Sequence, residues 1–139
     1  MNGELLAKEY LRKVKNRIEA VRLLFSRDAY DDVVRECQEI VELILKGMLR
    51  KLGIDPPLIH DVADTIRAYK NRLPSSWQKE LDEISDLSKE LSQERSQAFY
   101  GDEEDFTPLL ELYDKDTAHN YIKRVEHLIA LFEQALKEF

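Results

Sequence analysis

The sequence predicts an all-α protein: an antiparallel bundle of four long helices plus one short helix. Three observations lead there. Apolar residues recur at 3-4-3-4 spacing over long windows, and no stretch alternates as a strand does. Only four Gly and four Pro occur in 139 residues, so turn chemistry is scarce. The chain is 43% hydrophobic and 35% charged, against about 25% charged in an average domain, which suits amphipathic helices with solvated outer faces. Residues 1–139 are enough for one domain with a real core.

The first helix is expected from about residue 4 to residue 26, where Leu11, Val14, Ile18, Val21 and Phe25 form one apolar stripe. Arg12, Lys13, Lys15, Arg17 and Arg22 make it the most basic segment, either a solvated face or a surface for a polyanion. The second helix starts at Asp28 or Tyr30, runs to Leu52 and stops at Gly53. Tyr30, Val34, Cys37, Val41, Ile44, Leu45, Met48 and Leu52 lie in a narrow arc, widened by Val33, Ile40 and Leu43. So broad a face predicts a central helix. On its other flank, Glu42 and Lys46 have the favourable order for an i, i+4 ion pair.

Ile54-Asp55-Pro56-Pro57 must break the helix, because two prolines cannot continue it. His60-Asp61 then opens the short helix, with Val62, Ile66, Tyr69 and Leu73 as its apolar side and Pro74 as its end. Ser75 and Gln78 fit a capping box, which predicts a fourth helix from Ser75 to about Tyr100. Residues 101–113 read as the longest irregular stretch, with an acidic run at Asp102-Glu103-Glu104-Asp105. Asp114 or Asp116 caps the last helix, whose apolar positions run from Ala118 to Phe139.

No apolar run approaches the ~20 residues of a membrane span. Met1-Asn2-Gly3-Glu4 lacks the basic-then-apolar pattern of a secretory signal. The single Cys37 excludes an intramolecular disulfide and packs in an apolar stripe. Together these predict a cytoplasmic protein with no membrane contact. A net charge of −7 disfavours general nucleic-acid binding, since phosphate contacts need clustered Lys and Arg.

One stretch points to function: Glu94-Arg95-Ser96-Gln97-Ala98-Phe99-Tyr100-Gly101-Asp102. Counted at 100° per residue, Arg95 falls in the apolar stripe of Trp77, Leu81, Ile84, Leu87 and Leu91. A charge among core positions must meet a carboxylate, a carbonyl, an anion or a partner chain. Glu42 is a candidate carboxylate. Standard signatures are missing: there is no Gly-rich phosphate loop, no HExxH and no Cys pair. His119 and His127 are eight residues apart and do not make a ligand pair, so no metal and no cofactor is expected. Cys37 has no base near it in sequence, and His60-Asp61 reads as a cap and packing corner.

The order Tyr30-Asp31, then Glu42-Leu43-Ile44-Leu45-Lys46-Gly47-Met48-Leu49, Gly53-Ile54-Asp55-Pro56-Pro57, His60-Asp61-Val62, Leu73-Pro74, Arg95 and Ala98-Phe99-Tyr100-Gly101-Asp102 resembles the HEPN domain family. The similarity spans about residue 5 to residue 138. The resemblance implies a bundle of four or five helices that dimerises. It implies either a metal-independent RNase or an accessory subunit that binds nucleotides, in many cases beside a minimal nucleotidyltransferase in a toxin–antitoxin pair.

RNase members carry an Arg followed after four to six residues by a His. Arg95 matches that arginine, but Tyr100, Gly101 and Asp102 stand where the histidine would be. Tyrosine, with an ordinary pKa of about 10, is a poor general base for a ribose hydroxyl. The expected site therefore binds rather than cuts. Arg95 offers a fork for phosphate, Tyr100 a ring or hydroxyl, and Lys46 and Glu42 complete the nucleotide-binding set. The resemblance also gives Tyr100 a second role, because in some pairs the nucleotidyltransferase modifies a tyrosine near this motif. The leading expectation is a non-catalytic nucleotide- or polyanion-binding module, a homodimer and partner of a nucleotidyltransferase. Two alternatives stay open: a metal-independent RNase toxin with Arg95 catalytic, and a structural module whose Arg95 is an internal salt bridge.

Overall fold

The structure, a computed structural model, describes residues 3–100 and 113–138, without the side-chain surroundings of 95–100 and 138. Four long helices carry the fold: α1 (Gly3–Ser26), α2 (Tyr30–Lys51), α5 (Leu81–Tyr100) and α6 (Lys115–Glu138). Between α2 and α5 lie two short helices, α3 (Ala63–Ala68) and α4 (Ser75–Lys79), with a 3₁₀ turn at Lys70–Arg72. No strand occurs among the described residues.

Ion pairs across the seams show the helix directions. Arg17–Glu36 and Lys51–Glu4 join α1 to α2 in opposite senses. Lys15–Glu133 and Arg22–Glu126 do the same for α1 and α6. For α5 and α6 the Arg124–Glu90 ion pair and the Tyr113–Glu94 hydrogen bond, just before α6, run in the same opposed sense. The bundle is antiparallel.

Helix α2 is central, as its wide apolar face predicts. It packs on α1, α5 and α6. Val33, Val34, Cys37, Ile40, Ile44, Leu45, Met48 and Leu49 are fully buried along it. The turns at its ends have local causes. Asp28, with φ 60°, closes the α1–α2 turn in the left-handed region that Asp tolerates better than most residues. Gly53 stops α2 at φ +79°, and Ile54 N–H returns to the Leu49 carbonyl at 2.9 Å.

At Gly47 three helices meet closely. A Cβ there would lie 2.6 Å from the Phe132 ring and 3.1 Å from Tyr10 Cβ. Phe132 is fully buried and cannot swing away. Overpacking costs about 1–3 kcal/mol, and alanine's better helix propensity returns about 1 kcal/mol. Gly47→Ala is expected to lower stability by a net ~1 kcal/mol in urea unfolding; an unchanged midpoint would mean that α1, α2 and α6 part freely here.

Three local expectations need correction. The helix predicted from Ser75 to Tyr100 is broken at Glu80, which leaves the helical region with φ −105° and ψ 11°. Angles counted from Trp77 therefore do not carry into α5. Ser75 and Gln78 form no capping box: Pro74 is the cap, and Gln78 Nε2 donates to the Leu73 carbonyl at 2.9 Å. The short helix spans only Ala63–Ala68, and His60 lies outside it. Asp61 does serve its start, accepting Ala63 N–H at 3.1 Å. The cap at Asp114 is as expected, its carboxylate accepting Thr117 N–H at 2.8 Å.

Candidate functional site

Glu42 and Lys46 stand one turn apart on α2, and their ion pair forms as the spacing predicts, Nζ to Oε2 at 2.8 Å. The other carboxylate oxygen is also taken. His60 Nδ1 lies 2.7 Å from Oε1, and Gln38 Nε2 donates to the same oxygen at 3.2 Å. Glu42 and Lys46 are mostly covered, at 18% and 16% side-chain exposure, while His60 stands 57% exposed. One carboxylate thus collects an ammonium, an imidazole and an amide.

Burial alone would raise the Glu42 pKa. The hydrogen bonds from Lys46, His60 and Gln38 outweigh it and hold the carboxyl below its ordinary value. An ionised Glu42 fixes the imidazole: Nδ1 donates to it, and Nε2 faces away with no partner among the described residues. Both oxygens of Glu42 are thus engaged by its own neighbours, Lys46, His60 and Gln38.

The segment carrying His60 is held from both sides. Gln38, only 2% exposed, reaches the His60 carbonyl at 3.4 Å. On α5, the buried Ser88 donates to Asp61 at 2.7 Å, and Lys89 reaches Asp64 at 3.0 Å. Arg67 on α3 donates to Asp82 and Ser85 at 3.0 Å each. Sequence spacing missed this arrangement, because His60 lies 18 residues from Glu42 and reaches it only through the path of the loop.

Arg95 and Tyr100 ride on the last turns of α5, and their side chains lie outside the described residues. So do the acidic run and residues 101–112. Arg95 follows Ser88 by two turns of α5. Next to it, Glu94 accepts the Tyr113 hydroxyl at 2.7 Å, and burial followed by this carboxylate raises the Tyr113 pKa.

Other candidates stand elsewhere on the bundle. The basic stripe of α1 is largely paired with carboxylates: Arg12 with Glu9, Lys15 with Glu133, Arg17 with Glu36, and Arg22 with Glu19 and Glu126. Cys37 is buried and its thiol is pushed up to about 12, chiefly by that burial. An apolar groove of about 230 Å³ runs between α5 and α6 over Ile84, Leu87, Leu128 and Leu131. On its rim Arg124 pairs with Glu83 and Glu90, His127 lies 2.6 Å from Glu80, and Lys123 also lines the groove. No group of three potential metal ligands occurs among the described residues, and no described helix is long and apolar enough to cross a membrane.

Comparison with known proteins agrees with the architecture. The family model described as HEPN domain matches residues 7–135. No curated protein and no solved structure gives a match. The matched span takes in α1 through nearly all of α6, including Glu42, Lys46, His60 and Arg95. With the four-helix antiparallel bundle and this coverage together, the chain belongs to the HEPN domain family.

Proposed function

We propose that this HEPN domain is a nucleotide- or polyanion-binding module without catalysis of its own. In this reading it acts as a homodimer and as the accessory partner of a nucleotidyltransferase in a toxin–antitoxin-type system. The observation that supports it is the Glu42 cluster. A shared carboxylate joins the mostly covered Lys46 of α2 to the exposed His60 of the segment that α5 clamps. The same helix α5 carries Arg95, whose guanidinium suits phosphate. Tyr100, Gly101 and Asp102 in place of the motif histidine support binding over cleavage.

Calorimetric titration with ATP and with other nucleotides, alone and beside the adjacent-gene product, tests the reading. Binding is expected, and Arg95→Ala should weaken it about 10- to 100-fold, the equivalent of one charge-assisted hydrogen-bond pair. Absence of heat for every nucleotide would sink the reading. Cleavage of labelled RNA in chelator, lost in Arg95→Ala, would replace it with the RNase. A variant that melts far earlier and binds unchanged would make Arg95 an internal brace.

A further inference from the structure

Lys46 and His60 take the two different oxygens of Glu42, at 2.8 Å and 2.7 Å. That places the Lys46 ammonium and the His60 ring on one shared carboxylate. Lys46 spends one N–H on Glu42 and keeps two. His60 spends Nδ1 and keeps Nε2. Neutral, Nε2 is an acceptor and repels a phosphate oxygen; protonated, it is a donor and attracts one. Glu42 and Lys46 cancel in charge, so a proton gained by His60 shifts the charge of the cluster by one.

The charges around it on the other elements are already engaged. Asp61, next in the chain, accepts from Ser88 and lies 3.8 Å from Lys89, and Asp64 takes Lys89 at 3.0 Å. Among these groups, only the imidazole belongs to a side-chain type that gains or loses its proton around neutral pH.

We propose that Lys46 and His60 form the phosphate-contacting end of the site, and that binding a terminal phosphate draws one proton onto His60. The ligand class is a nucleotide with a terminal phosphate, or pyrophosphate itself; a nucleoside lacks what the site recognises. This rests on the nucleotide-binding reading above and adds to it the contacting residues and a pH dependence.

The test uses the full chain, with ATP, inorganic pyrophosphate and adenosine as probes. Titrations in buffers of different ionisation enthalpy read proton uptake directly. Expected are uptake of up to one proton with ATP and with pyrophosphate, none with adenosine, and an affinity that falls by as much as about tenfold per pH unit on the alkaline side. His60→Gln keeps a neutral donor and should lose both the uptake and the pH dependence. Lys46→Gln should weaken binding about tenfold or more and keep the uptake.

In the unmodified protein, the His60 ring resonance should move when ATP is added, which requires no variant to fold. Unchanged uptake in His60→Gln, a silent ring resonance on saturation, or adenosine binding as tightly as ATP would overturn this assignment while nucleotide binding stands. Failure of all phosphate-bearing probes to bind would remove both readings together.

Discussion

Trp77→Ala should lower stability by about 3–5 kcal/mol, the largest effect expected of any single change here. Trp77 is fully buried, and its indole N–H donates to the Leu131 carbonyl on α6 at 3.1 Å. It sits on α4, a helix of only five residues that has little stability of its own. The ring therefore fastens the α4 corner to the C-terminal half of α6. Trp77→Phe separates the two contributions: it keeps most of the apolar burial and loses the hydrogen bond, for about 1 kcal/mol. Urea unfolding followed by helical circular dichroism measures both. If Trp77→Ala costs less than 1 kcal/mol, the corner is not fastened through the indole.

Glu42→Ala should cost about 2 kcal/mol. It leaves Lys46, mostly covered, and Gln38, almost fully buried, without their shared acceptor, and hydrogen bonds to charged groups are worth ~1.5–3 kcal/mol. His60 adds little, since its exposed ring regains water. The same carboxylate gives a pH signature. Its folded pKa lies below the ordinary 4.5, so the unfolded chain binds the proton first. Its contribution is complete above the unfolded value and is lost as pH falls through the folded one. Glu90, held low by the Arg124 hydrogen bond, acts in the same direction.

Wild type should therefore lose stability steeply below about pH 4.5, and Glu42→Gln should flatten part of that slope. The variant's gap to wild type should be widest near neutral pH and narrow toward pH 3. A constant gap across that range would show that the Glu42 proton is not linked to folding.

Much of this architecture can be read from spacing alone. The stripe of α2 is legible because eleven apolar residues repeat at the helical period, and that repeat forces burial on three sides. The Glu42–Lys46 pair is legible because i, i+4 neighbours meet on any helix. His60 on Glu42 is not legible, because its approach is set by how far Ile54 to Ile59 travel back along α2. The break at Glu80 is hidden for a different reason. Glutamate is a good helix former, no Gly or Pro stands nearby, and the packing of Trp77 into α6 overrides local preference. The crowding of three donors on Glu42 is likewise hidden, because sequence cannot count how many donors already occupy a carboxylate.

The ion pairs of α1 have a further consequence for how polyanions meet this protein. Binding of a nucleic acid is driven largely by entropy, as cations condensed on its phosphates escape into solution when lysines and arginines take their place. Along α1, Arg12, Lys15, Arg17 and Arg22 already face carboxylates of the same chain. A phosphate arriving there must first displace a tethered glutamate, so the release of small ions is offset by the exposure of a fixed negative charge. A face that looks basic in sequence is thus largely neutralised by the carboxylates of its own chain.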